Sequence, residues 1–423
     1  MSRLLYSLLM RLSAPLLWLR MRRRARQEPS YGAYPKERFA LYGDQPAPLV
    51  RPVWIHAVSL GETRAAQPLI RAVLDRGLPV LLTHTTATGR AEGGRLFKTE
   101  IDSGQLHQAW LPYDMPGAIR RFYGYFAPRC GLLIETEVWP NVVAEAASHN
   151  VRLALVSARL SARSARRAAR LGTLAKEAFG ALDAVLAQTA QDAQRLRDVG
   201  ARDPQVVGNL KFDIALPVDQ IAEGRAWRQA LNRQVLAIAS TREGEDEGFI
   251  AALKRQLPAG GPLVLLIPRH PQRFDNVAAM LTAAGMRVLR RSAMQAGEAV
   301  PDDVQVILGD TLGEMPRFYA AADVAIVAGS FAPLGGQNLI EAAACGVPVI
   351  VGPHTFNFAQ ASDDAVEAGA ALRVTDAADA IRTALAVLAD QAKQTAMRTA
   401  AEQFTAAHTG ATQRVVDHIS AWW

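Results

Sequence analysis

The sequence predicts an α/β protein made of two doubly wound, Rossmann-like domains. Short apolar runs alternate with helical patterns from residue 50 onward. The alternation pauses once, near residues 217–227, and then restarts. The chain is 423 residues long, more than one average hydrophobic core supports. Strictly alternating strands and helices imply parallel sheets, with ligands bound beyond the carboxyl ends of the strands.

In the first half, strands are expected at 53–58, 80–83, 108–111, 132–134, 151–156 and 184–187. Helical patterns lie between them: Glu62 to Arg76, from about Ala87, Pro116 to Phe126, Pro140 to His149, and a long Arg-rich stretch before residue 184. The second half repeats the pattern with strands at 235–239, 263–267, 287–289, 304–308, 324–327 and 347–351, then a helical tail over 377–419. The expected organisation is an N-terminal segment 1–26, a first domain 27–216, a linker 217–230 and a second domain 231–423, the two domains facing each other across a cleft.

The net charge of +7 is local. Residues 1–26 hold seven arginines and no acid, so of 47 basic residues 40 remain, balancing 40 acidic ones. That argues against a nucleic-acid-binding body. Leu4 to Leu19 is apolar except for Ser7, Arg11 and Ser13, and too short for the roughly 20 residues that span a bilayer. Arg3, Ser7 and Arg11 line one helical face and leucines take the rest. The arginines at 20–26 follow directly, placed to meet anionic headgroups. A membrane-associating helix is expected, lying in or crossing a membrane with the body on its cytoplasmic side, the alternative being a helix docked on its own core. Trp422 and Trp423 could add interfacial contact. Cys130 and Cys345 sit in apolar runs and read as buried thiols of a reducing compartment.

Candidate chemistry sits where strands end. Glu62, in Ser59-Leu60-Gly61-Glu62, opens a helix after the first strand. It is either a capping charge or a base whose pKa burial lifts toward neutrality. Glu135 and Glu137 leave one strand end together, one to face the cleft and the other to cap the helix opening at Pro140. Lys211 could offset negative charge developing on a leaving phosphate or standing on a substrate carboxylate, or be a lone surface lysine. Arg159, Arg163, Arg166 and Arg170, spaced 4, 3 and 4, read as one helical face, either solvated or meeting an anionic acceptor or phospholipid. In the second half Pro268-Arg269-His270, Leu312-Gly313-Glu314 and Gly335-Gly336-Gln337-Asn338-Leu339-Ile340-Glu341 end three strands, and His354 and Asn357 lie in a fourth loop. A glycine loop feeding a helix near Gln337 offers N–H groups to a phosphate, and Glu341 one turn later suits a ribose diol. The spacings hold no metal-ligand set, no Walker loop and no hydrolase elbow, so neither metal nor cofactor is expected.

These motifs in this order resemble the 3-deoxy-D-manno-octulosonic acid (Kdo) transferases of lipid A assembly. The likeness runs from the N-terminal segment to about residue 375. It is carried by Ser59-Leu60-Gly61-Glu62, Leu111-Pro112-Tyr113-Asp114, Glu135-Thr136-Glu137-Val138-Trp139-Pro140-Asn141, Ala158-Arg159-Leu160-Ser161, Leu210-Lys211-Phe212-Asp213, Pro268-Arg269-His270-Pro271, Gly309 to Glu314 and Gly352 to Phe358. The resemblance implies a GT-B glycosyltransferase, inverting and metal-independent, with CMP-Kdo as donor and the tetraacyl disaccharide precursor of lipid A (lipid IVA) as acceptor. It implies that Glu62 is the general base and that Glu135 and Lys211 assist at the transition state. Pro268, Arg269, Leu312, Gly313, Glu314, Asn338, Leu339, Ile340 and Glu341 would hold CMP. The arginine row, read from its charge, leaves Arg159 and Arg163 as candidate acceptor contacts. One departure is Leu339-Ile340, where the family pattern has a proline–leucine pair. The alternatives are a nucleotide-sugar epimerase on the same fold, which needs no lipid, and a non-catalytic membrane-associated nucleotide-sugar-binding protein.

Overall fold

The computed structural model describes residues 1–43, 49–213, 216–295 and 298–423. It divides into two compact units, residues 1–214 with 408–423, and residues 215–407.

The first unit holds a seven-stranded sheet. Its strands are β1 (Val53–His56), β2 (Val80–His84), β3 (Leu106–Trp110), β4 (Cys130–Ile134), β5 (Arg152–Ala158), β6 (Ala184–Ala187) and β7 (Gln205–Val206). The spatial order is β3-β2-β1-β4-β5-β6-β7, with every pair parallel. The chain reverses its direction of travel between β1 and β4, which opens a crevice at their carboxyl ends. β1, β2 and β4 are buried throughout, so they read as continuous apolar runs with no alternation.

The second unit repeats the design with β8 (Val235–Thr241), β9 (Leu263–Pro268), β10 (Val288–Arg290), β11 (Val306–Leu308), β12 (Val324–Val327), β13 (Val349–Val351) and β14 (Ala371–Arg373). Its order is β10-β11-β9-β8-β12-β13-β14, again all parallel, with the reversal between β8 and β12. The expected strands are present. β7 and β14, of two and three residues, lack an apolar run long enough to announce them.

Three expectations about organisation are corrected. The 217–230 linker is a helix, Val218–Ala230, that belongs to the second unit. Arg228 bonds Asp323, and a Cβ at Gly224 would meet the Arg317 carbonyl at 2.4 Å, so this helix packs tightly and is no tether. Residues 408–423 group with the first unit. The reason is apolar: Ala411, Val415, Val416 and Ile419 are buried in the cluster that holds β1 and β4. Trp422 and Trp423 pack partly buried against the same cluster, with Arg152 and Arg76 over their rings, so their apolar faces are spent on the protein itself.

The N-terminal segment forms helices α1 (Arg3–Leu12) and α2 (Ala14–Gln27), bent by 51° at their junction. No single helix among the described residues is long and apolar enough to cross a membrane, though this bent pair passes together on length and composition. α1 lies on the first unit with its polar side inward: the Tyr6 hydroxyl donates to Asp114 at 2.9 Å and Ser7 Oγ to Asn141 at 2.8 Å. Leu4, Leu5, Leu8, Leu9, Leu12, Leu16 and Leu19 are exposed, Leu4 by 81%.

Candidate active site

In the first unit, Ser59 caps helix α3 (Leu60–Ala65) by accepting from Glu62 N. Glu62 reaches back to take Val58 N–H at 2.7 Å and the Ser59 hydroxyl at 3.2 Å. This is a capping box with the donor displaced by one residue, Val58 N–H standing in for Ser59 N–H. Such bonds normally hold a carboxylate acidic, yet the Glu62 pKa is pushed up to about 7. Burial is the main cause, the charge of Glu135 the next, and the Val58 bond opposes both. The cap therefore fixes the side chain, while its surroundings lift its pKa toward neutrality.

Glu135 follows β4, across the reversal point from Glu62. Its backbone is left-handed, at φ 62°, a conformation that costs a non-glycine residue about 1–2 kcal/mol. Lys211 Nζ donates to Glu135 Oε1 at 2.7 Å, both side chains nearly buried. Arg159 Nη1 stands 3.9 Å from the other oxygen. Lys211 lies in a 3-10 turn, Leu210–Asp213, that starts just after β7. Glu62, Glu135, Lys211 and Arg159 thus share one neighbourhood.

Arg163 does not join them. The following helix, Ala162–Leu171, begins after Arg159, so the four-arginine row is not one helical face. Arg163, Arg166, Arg167 and Arg170 are exposed on that helix, while Arg159 turns back to the β4 end.

Glu137 does not cap the Pro140–Ser148 helix. It accepts Trp139 Nε1–H at 2.9 Å and lies 3.8 Å from the buried His56 Nε2. The capping carboxylate is Asp114, which accepts Asn141 N–H and Val142 N–H at 3.0 and 2.8 Å. A cap donated by a residue 27 positions away leaves no local signal, so sequence reasoning missed it.

In the second unit the glycine loop is confirmed as a tight one. Gly329, Gly335 and Gly336 all have positive φ. Gly336 N–H bonds the Gly329 carbonyl, and the 352–358 loop closes over it through Asn357 N–H to Gly335 O at 2.9 Å. The helix that follows is only Ile340–Ala344, so it opens later than Gln337 and carries little dipole. Glu341 lies in its first turn and accepts Asn338 Nδ2–H at 3.1 Å, while Asn338 Oδ1 takes Ile340 N–H. Leu339 and Ile340 are buried, so only their backbone can meet a ligand, and the apolar exchange at these two positions is accommodated in the core.

Arg269 follows the buried Pro268 at the end of β9. Its guanidinium and the Glu341 carboxylate both act on the buried Tyr319 hydroxyl, whose pKa is raised by burial and by Glu341 and lowered by Arg269. Arg269 and Glu341 are therefore both close enough to Tyr319 to act on it electrostatically. Gly313 is left-handed at φ 83° and Leu312 is exposed. The Glu314 carboxylate is held by Arg291, Arg317 and the Thr311 hydroxyl, leaving the 312–314 turn to offer mainly backbone.

Glu245 is the residue missed here. It is buried after β8 and accepts N–H groups from Arg242, Gly329 and Phe331 at 2.8, 2.8 and 2.9 Å, pinning the start of the glycine loop. Nothing in its surrounding sequence marks this role, since its partners in the glycine loop, Gly329 and Phe331, are more than 80 residues away.

Among the described residues no group of His, Cys, Asp and Glu could hold a metal. Both cysteines are free, with thiols pushed up to about 12 by burial. Cys345 is only half-buried, against the expectation, because its helix ends at the surface. A groove of about 840 Å³ opens elsewhere on the first unit, over Val143, Leu174 and Leu182, and no predicted site residue lines it.

Residues 34–214 match the family described as 3-deoxy-D-manno-octulosonic-acid transferase, and residues 263–404 match glycosyl transferases group 1. A 3-deoxy-D-manno-octulosonic acid transferase of Bordetella pertussis is 59% identical, with all of both chains covered. One from Haemophilus influenzae is 32% identical over 100% of this chain and 99% of its own. Among solved structures, a UDP-N-acetylglucosamine 2-epimerase described as putative, from Listeria monocytogenes, aligns with a TM-score of 0.56 at 13% identity, covering 88% of this chain and 96% of that one. That last likeness concerns the fold alone.

Proposed function

The chain belongs to the 3-deoxy-D-manno-octulosonic acid transferase family of GT-B glycosyltransferases, and on that premise we propose that it moves Kdo from CMP-Kdo to the lipid IVA disaccharide with inversion and without a metal. The observation that carries the reading is Glu62, a fixed and partly buried carboxyl with a pKa near 7, beside the Glu135–Lys211 pair. Glu62 takes the proton of an acceptor hydroxyl while that oxygen bonds to the anomeric carbon of Kdo. The bond from that carbon to the phosphate oxygen breaks, and CMP leaves with the electron pair. Arg269 and the backbone of the glycine loop serve the phosphate as its charge grows, and Glu341 accepts from the ribose hydroxyls. Lys211 and Glu135 act on the sugar as it gains oxocarbenium character. Arg159 suits an anionic group of the acceptor.

The direct test is incubation with CMP-Kdo and lipid IVA in detergent, with the sugars attached counted by mass spectrometry. An isomerised sugar nucleotide formed from donor alone would favour the epimerase reading, and nucleotide binding without turnover the non-catalytic one. Gly335→Ala is expected to weaken CMP binding about tenfold, because a left-handed backbone rarely tolerates Cβ. Its Cβ would also stand 2.3 Å from Asn357 Nδ2. Gly285→Ala, equally left-handed but with open space around it, is the control that costs stability and not affinity. Isothermal titration of both variants reads the difference.

We also infer that α1 lies in the interfacial layer of the bacterial inner membrane, on its cytoplasmic side. Bonds from Tyr6 and Ser7 tie the polar side of the helix to the protein and leave its leucines facing out. That arrangement buries apolar surface only if something apolar covers it. Replacing Leu4, Leu8 and Leu12 by Ser is expected to reduce flotation with anionic-lipid vesicles about 10- to 100-fold. Activity on acceptor dissolved in detergent should survive, and equal flotation of both proteins would refute the placement.

A further inference from the structure

Gln188 is buried, directly follows β6, and has no place in the chemistry above. Its amide is nevertheless fully used. Nε2 donates to the Ser157 carbonyl at 3.0 Å and to Ser157 Oγ at 3.2 Å. Oε1 accepts Asn209 Nδ2–H at 3.2 Å. Asn209 Oδ1 in turn accepts the backbone N–H of Lys211 at 3.0 Å.

The orientation of both amides follows from the ends of this chain. A backbone N–H at Lys211 needs an oxygen, so Asn209 must turn Oδ1 toward it and Nδ2 toward Gln188. Gln188 must then present Oε1 to Asn209 and Nε2 to the Ser157 carbonyl, which can only accept. No flip satisfies all members.

Ser157 is a fixed point. It sits at a bulge in β5, where the register against β6 shifts between Val156 and Ala158, and its backbone is left-handed at φ 51°. Its hydroxyl also accepts Leu210 N–H, from the turn that bears Lys211. The neighbouring Val156 carbonyl accepts Glu135 N–H at 3.0 Å. One buried chain therefore links the ends of β4, β5 and β6 to the turn after β7, and its two outer members are Glu135 and Lys211.

A lysine ammonium at the end of four methylenes has no fixed position of its own. Its partner Glu135 is set by β4, so the pair meets only if the backbone at Lys211 is held in register with that strand. We propose that Gln188 is a positioning residue for the transfer reaction, acting through Asn209 and braced on the bulged Ser157 to set where the Lys211 ammonium stands. The inference rests on the role given to Lys211 above. A plain structural staple would make the same bonds, and what separates the two is whether the effect of Gln188 passes through Lys211.

The experiment is a double-mutant cycle in the full-length protein with Gln188→Leu and Lys211→Met, assayed by CMP-Kdo turnover on lipid IVA. Gln188→Leu alone is expected to lower kcat about 10- to 100-fold, as small displacements of reacting groups do, with the donor KM unchanged within about twofold. In the Lys211→Met background the same change should have almost no further effect. Losses that multiply, or a loss confined to KM, would overturn the proposal. If Lys211→Met has no measurable turnover, the split between kcat and KM of the single variant decides. If Gln188→Leu does not fold, Asn209→Ala, at a half-exposed position, takes its place with the same expectations. Near-normal turnover of Lys211→Met would instead defeat the reading of Lys211 itself, an outcome distinct from failure at Gln188.

Discussion

Glu62→Gln abolishes transfer, lowering kcat by about 10²- to 10⁴-fold, while CMP-Kdo still binds. The amide keeps an oxygen for Val58 N–H, so the loop and helix α3 retain their shape and only the proton acceptor is lost. In the parent protein the rate should rise with pH, about tenfold per unit on the acid side, and level off above a limb near 7 where Glu62 is ionised. Glu135→Gln removes the second largest cause of that raised pKa, so its residual activity should show the limb moved to lower pH. A pH–rate profile without a limb between about 6 and 8 would remove Glu62 from the role of base.

The same shift has a sign in stability. The Glu62 pKa is raised in the folded protein above its ordinary 4.5, so the folded state holds the proton more tightly than the unfolded chain does. Stability is then lost as pH climbs from about 4.5 through 7, and the whole cost is present above that. Glu62→Gln should therefore melt higher than the parent at pH 8, by about 1–3 kcal/mol of stability, with the gain vanishing near pH 4.

Lys211→Met is the second large effect. It takes the cation from a nearly buried pair and strands the Glu135 carboxylate, which keeps the Arg159 guanidinium only at 3.9 Å. A stranded buried charge of this kind costs roughly 3–5 kcal/mol. Turnover should fall about 10²- to 10³-fold, the range for losing one electrostatic partner of a transition state. Pairing the substitution with Glu135→Gln separates the two effects. The double variant buries no lone charge and should recover most of the lost stability in thermal melting, yet none of the activity.

Some of the site was legible because its signals are local. Glu62 follows an apolar run and a glycine, so a carboxylate at a helix start could be read directly, while the Ser59 cap went unread although it lies only three residues away. Glu135 follows an unmistakable apolar run, and Gly335-Gly336 announces a backbone only glycine adopts easily. Misreadings came where a residue's partner is far along the chain. Helical spacing placed Arg159 in a row with Arg163, but a contact with Glu135 turns it away. The sequence offers one of Glu135 and Glu137 as the cap of the Pro140 helix, while the true cap, Asp114, comes from another loop. Glu245 and Gln188 carry no motif, and each matters for what it bonds across the sheet.

The amino-acid sequence by itself determined the strand–helix alternation, the two sheets and the residues at the strand ends, because hydrophobic period and turn chemistry act within a few residues. Tertiary structure decided the rest: that residues 408–423 return to the first unit, that α1 turns its leucines outward, and that Glu62 ionises near pH 7. Burial and through-space charge depend on segments that meet only after folding, and no local pattern encodes them.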